Sequence, residues 1–128
     1  MVAFGNVLIE ANLYDYTRHA VTGYGGQGET YEVRYNIHGS HCIDTVFDVH
    51  AEGTWSGGGL SGQLYKIHHN TVTHSGDYVL DLIGTPSEGM YIYNNRFETG
   101  VLSRGGMTRV SMTNNYIGND LYPTGPVN

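Results

Sequence analysis

Two aspartates hold equivalent places in two similar apolar segments, Asp48 in TVFDVH and Asp81 in YVLDLI. Setting one segment over the other puts Phe47 and Val49 above Leu80 and Leu82, facing inward by strand alternation, with Asp48 and Asp81 facing out. On adjacent parallel strands the two carboxylates would lie about 5 Å apart. Like charges that close repel, so one group is driven toward its neutral acid form, which is how one residue type supplies both an acid and a base. The separation is nearer to the retaining than to the inverting arrangement of carboxylates in glycoside hydrolysis. His50 follows Asp48 on the same face, and the glycine-rich stretch AEGTWSGGGLSG begins directly after it, carrying the only tryptophan, Trp55. Its ring is suited to stacking on a sugar. The catalytic candidates are therefore Asp48, Asp81 and His50, with Trp55 as a substrate-binding residue. Solvated aspartates tied to loop amides would leave the same pattern in the sequence.

A second charged column contains Glu10, Arg34 and His68, flanked by Glu32 and Lys66. Arg34 and Lys66 could hold the carboxylates of an oligosaccharide, while His68 could act as the base of an elimination. The alternative is a ladder of alternating charge that ties neighbouring strands together. The histidines raise the question of a metal, since His38 and His41 form an HxxH that Asp44 could complete. Adjacent strand residues point to opposite faces, so His68 and His69 cannot share one ion, and His69 is expected in an inward column with Ala11 and Tyr35. Neither a metal nor a cofactor is expected. Gly23, Gly25 and Gly28 spell a nominal GxGxxG, but the strand-like ETYEVRY follows where a dinucleotide fingerprint needs a helix, so the glycines are read as a turn. Cys42 is the single cysteine, which excludes an internal disulfide.

The elements that must position these residues are repeated. Five alternating segments run into an asparagine: VLIEAN at Asn12, YEVRYN at Asn36, YKIHHN at Asn70, MYIYNN at Asn95 and VSMTNN at Asn115, at intervals of 24, 34, 25 and 20 residues. Such spacing fits one supersecondary unit stacked repeatedly with insertions at its corners. Alignment on the asparagines gives two apolar columns, Val7, Tyr31, Tyr65, Met90, Val110 and Ile9, Val33, Ile67, Ile92, Met112, separated by mixed polar ones. A second, weaker strand follows each asparagine, in HAVTGY, VFDVHA, YVLDLIG and GVLS. Two strands per repeat, polar corners and no helical period predict an all-β parallel β-helix of about five coils. Asparagine suits the corners because it tolerates the left-handed conformation and its amide can bond the asparagine of the next coil, forming a ladder that Asn94 and Asn114 would extend. Residues 1–118 form the β-helix, and residues 119–128, with Pro123 and Pro126, are expected to be an irregular tail.

A net charge of −6 argues against a nucleic-acid partner. No stretch approaches the length of a transmembrane helix, so no membrane partner is expected, and localisation is left open. The uncapped ends of a β-helix expose unpaired backbone, which predicts a homo-oligomer joined through those ends, or ends buried under the chain's own tail.

The run YEVRYNIHGSHCIDTVFDVH, then KIHHNTVTHS, then GTPSEGMYIYNN resembles the right-handed parallel β-helix repeats of the pectin-lyase-like superfamily, and more narrowly archaeal disaggregatase-related proteins. About two thirds of the chain carries it. The resemblance implies a right-handed winding and a polysaccharide lying across a parallel sheet. The functional expectation is a polysaccharide-acting module, with hydrolysis preferred over elimination. Its rival is a noncatalytic β-helix for glycan binding or surface assembly, possibly part of a longer protein.

Overall fold

A computed structural model describes residues 5–51, 59–74, 78–99, 101, 103–118, 120–121 and 125–126. Every regular element among them is a strand, and long, short and medium strands recur in that order. The first group is β1 (Asn6–Glu10), β2 (Leu13–Tyr14) and β3 (Val21–Gly23). The second is β4 (Thr30–Arg34), β5 (Ile37–His38) and β6 (Phe47–Val49). The third is β7 (Leu64–His68), β8 (Thr71–Val72) and β9 (Leu80–Leu82). Then come β10 (Gly89–Tyr93), β11 (Arg96–Phe97), β12 (Val110–Thr113) and β13 (Tyr116–Ile117). Two short strands close the chain, β14 (Asp120–Leu121) and β15 (Gly125–Pro126).

Equivalent strands of successive groups pair in parallel, giving a first sheet β1-β4-β7-β10-β12, a second β2-β5-β8-β11-β13 and a third β3-β6-β9. This is an architecture of the parallel β-solenoid kind. The register matches the columns read from the repeats: Val7, Tyr31, Tyr65, Met90 and Val110 are successive partners, as are Ile9, Val33, Ile67, Ile92 and Met112. From Tyr31 and Val33 onward these residues are buried, and they meet Val21, Phe47, Leu80, Val49 and Leu82 from the third sheet in one core. The second sheet was not anticipated, because a two-residue strand is too short to show a period of two. Within the stretch expected to be an irregular tail, Asp120–Leu121 and Gly125–Pro126 pair antiparallel with the stack, β14 on β13 and β15 on β12.

The asparagines form a continuous ladder. Asn12, Asn36, Asn70 and Asn95 each donate from Nδ2 to Oδ1 of the next, at 3.1, 3.0, 3.0 and 3.0 Å, ending on Asn115. The same amides bond backbone carbonyls, as Asn70 does with Val33 and His68, so the buried side chains are fully used. The left-handed residue at each corner is the one before the ladder asparagine: Ala11, Tyr35, His69, Asn94 and Asn114 have φ of 58, 54, 54, 54 and 53°. That twist interrupts strand alternation, turning the left-handed side chain outward and the following one inward. Hence His69, Asn94 and Asn114, expected inside, are exposed, and Asn94 and Asn114 take no part in the ladder.

Candidate active site

Asp48 and Asp81 are the central residues of β6 and β9 and are direct register partners. Their neighbours Phe47, Val49, Leu80 and Leu82 fill the core, so alternation turns both carboxylates to the outer face of the third sheet. They are nevertheless shielded, with side chains 3% and 4% exposed. Arg18 and His19 ahead of β3, and the Arg104-Gly105-Gly106 turn, wall a cleft of about 380 Å³ over them. A glycine allows this closeness at the Arg104 turn, since a Cβ at Gly105 would stand 2.0 Å from the Leu82 carbonyl oxygen.

Each carboxylate has a basic partner. Asp48 Oδ2 lies 2.8 Å from His50 Nε2. Asp81 Oδ2 accepts from Nε and Nη2 of Arg104 at 2.9 and 2.7 Å. Nη1 of the same guanidinium donates to Asp44 Oδ1 at 3.1 Å, and Asp44 Oδ2 lies 3.7 Å from Arg18 Nε and 3.9 Å from His19 Nε2. The hydrogen bond to Asp81, followed by the nearby acidic charges, holds Arg104 above the usual guanidinium range. Asp81 Oδ1 is buried without a hydrogen-bond partner among the described residues. An unsatisfied buried acceptor is costly, and such atoms mark places where something other than stability sets the side chains.

Arg104 is the site residue that sequence reasoning missed. A signal existed in GVLS, since Ser103 bridges Leu80. Extending the alignment by one residue continues the column Thr22, Asp48, Asp81 into Arg104. Only an isolated bridge forms there, so the strand pattern was weak.

The structure brings Asp48, His50 and Asp81 together but sets Arg34, Lys66 and His68 on β4 and β7 of the first sheet, away from the cleft lining. Arg34 lies between two acids, 2.8 Å from Glu10 Oε2 and 2.9 Å from Glu32 Oε1. His68 Nε2 lies 3.0 Å from the same Glu32 oxygen, and its ring stacks on Tyr93 at 4.6 Å, which buries a histidine that sequence had placed outside. The bond to His68 is the chief cause holding Glu32 below the usual carboxylate range. Lys66 borders a shallow groove with Glu32 and Tyr31. Trp55 lies outside the described residues.

The HxxH histidines do not converge. His38 points into the core, stacked on Tyr14 at 5.1 Å and edge-on to Phe47 at 5.1 Å, and burial pushes it down to about 4. His41 is outside, its Nδ1 3.0 Å from Asp15 Oδ2 and its ring stacked on Tyr16 at 4.2 Å.

A cleft with two register-paired carboxylates, each held by a different base, can transfer protons and can grip an anionic ligand through Arg18 and Arg104. Comparison of the chain with family models, with curated proteins and with solved structures found no match.

Proposed function

We propose that the chain is a right-handed parallel β-helix of about five coils, related to the pectin-lyase-like proteins, and that it hydrolyses an acidic polysaccharide in the cleft over β6 and β9. The observation that supports this reading is the pairing of Asp48–His50 with Asp81–Arg104 on adjacent strands at the base of one cleft. His50 is the more accessible end of its pair. Its imidazolium donates a proton to the glycosidic oxygen as the bond to the anomeric carbon breaks, while Asp48 orients the ring and balances its charge. Asp81, oriented by Arg104, acts from the other side as the base toward water or as the nucleophile. Arg18 and Arg104 favour sugars that carry carboxylates.

The test is incubation of the chain with a panel of polyuronates, following new reducing ends and the ultraviolet absorbance of an unsaturated product. Reducing ends without that absorbance are expected, and both His50→Ala and Asp81→Asn should lower the rate by about 100-fold with circular dichroism unchanged. Unsaturated product would replace hydrolysis by elimination, with His50 as the base. Binding without cleavage would leave the noncatalytic glycan-binding module, and neither binding nor cleavage would reject a polyuronate ligand altogether.

A further inference from the structure

The corner where the first sheet passes into the second carries its own line of side chains. Tyr35, His69, Asn94 and Asn114 occupy the left-handed position on successive repeats, which leaves all four exposed. Just beyond the ladder, Arg96 and Tyr116 are register partners on β11 and β13 and also face outward. These six residues border a groove of about 550 Å³.

Three properties single it out. The side-chain amides of Asn94 and Asn114 have no hydrogen-bond partner among the described residues, in contrast to the fully bonded ladder amides beside them. Arg96 is likewise the one arginine among the described residues whose guanidinium has no carboxylate or carbonyl partner. Arg18, Arg34 and Arg104 face acids, and Arg109 bonds the carbonyl of Pro86. Finally, no carboxylate among the described residues lines the groove, although the chain carries a net charge of −6. Unused amides, an unpaired guanidinium and two tyrosines, 57% and 46% exposed, form a set of donors and flat apolar faces directed at solvent.

We propose that this groove is a second ligand site that binds an acidic oligosaccharide along the stack. Arg96 pairs with a sugar carboxylate, in the charge-assisted geometry that a guanidinium favours. The Asn94 and Asn114 amides bond ring hydroxyls, and Tyr35 and Tyr116 pack against the C–H faces of the sugars. Successive repeats are about 4.8 Å apart, on the order of one sugar unit, so an extended chain meets a new side chain at each step. The inference stands whether or not the cleft over β6 and β9 is hydrolytic.

The experiment titrates the isotopically labelled full chain with oligogalacturonate and with the same oligosaccharide after carboxyl reduction, using NMR shifts to locate binding and calorimetry to measure it. Shifts at Asn94, Arg96, Asn114 and Tyr116 are expected. Arg96→Ala should weaken binding of the acidic probe by at least about tenfold, Arg96→Lys should retain part of it, and the reduced probe should bind as weakly as the acidic probe binds Arg96→Ala. His50→Ala and Asp81→Asn should leave these shifts in place, which separates this site from the cleft. Shifts confined to the cleft, an Arg96→Ala affinity within about twofold of the parent at unchanged melting temperature, or no binding of the acidic probe would overturn the proposal.

Discussion

The charged column on the first sheet and the one on the third are assembled alike and end differently. In each, acids and bases stand on adjacent repeats, Glu10 with Arg34 and His68 on paired parallel strands in one, Asp48 with Asp81 on paired strands and Arg104 on the turn beyond them in the other. On the first sheet the side chains of Glu10 and Arg34 remain 45% and 33% exposed, and solvent screens their attraction. On the third, the turns bearing Arg18 and Arg104 close over the carboxylates and build a cleft. The same ladder of charge is thus a surface network in one place and a shielded site in the other. The sheet supplies the spacing, and the connections supply the environment, which is why candidate chemistry belongs to the side with walls.

The most direct way to break this comparison is to remove the arginine from each column. Arg104→Ala leaves the buried Asp81 carboxylate without a cation that is itself half-exposed and should destabilise the fold by about 1–3 kcal/mol, whereas Arg34→Ala should cost about 0–1 kcal/mol. Urea denaturation measures both. Equal losses would mean that the walls over the third sheet do not change the electrostatics.

The histidines offer the same contrast at the next scale. His38 is buried and held neutral down to about pH 4, while an unfolded chain protonates its histidines near pH 6.5. Between those values the unfolded state carries the extra proton, so stability should fall with falling pH, by about 3 kcal/mol across the window. His38→Phe should flatten this part of the pH–stability curve. Asp15, lowered chiefly by its bond to His41, acts at the exposed surface. Its contribution is present above the ordinary carboxylate range and is lost only as pH falls through its lowered value. A curve for His38→Phe that keeps the full slope between pH 6.5 and about 4 would place the titrating group elsewhere.

The smallest effect is the coupling between Glu10 and Arg34. A double-mutant cycle should return about 0.2–1 kcal/mol, declining in roughly 1 M salt. A coupling as large as that expected for Arg104 with Asp81 would show that the first-sheet column is more than a surface ladder.

Much of the stack was legible before any coordinates, because a solenoid repeats its constraint. Each repeat must bury the same strand face and turn the same corner, so the columns through Ile67 and Tyr65, the asparagine ladder and the pairing of Asp48 over Asp81 are written locally and recur. Alternation failed at the corners, where one left-handed residue reverses the facing of its neighbours. His69 consequently came out exposed, while His68 became covered by Tyr93 and Glu32, contacts that no period of two records. Only the tertiary structure decided that the third sheet would carry the cleft. The guanidinium that completes it comes from a turn 23 residues beyond Asp81, and the shielding depends on how closely the Gly105 backbone can approach a neighbouring strand. Periodic contacts between like positions can be read along a chain, whereas convergence of unlike loops depends on the path of the backbone through space.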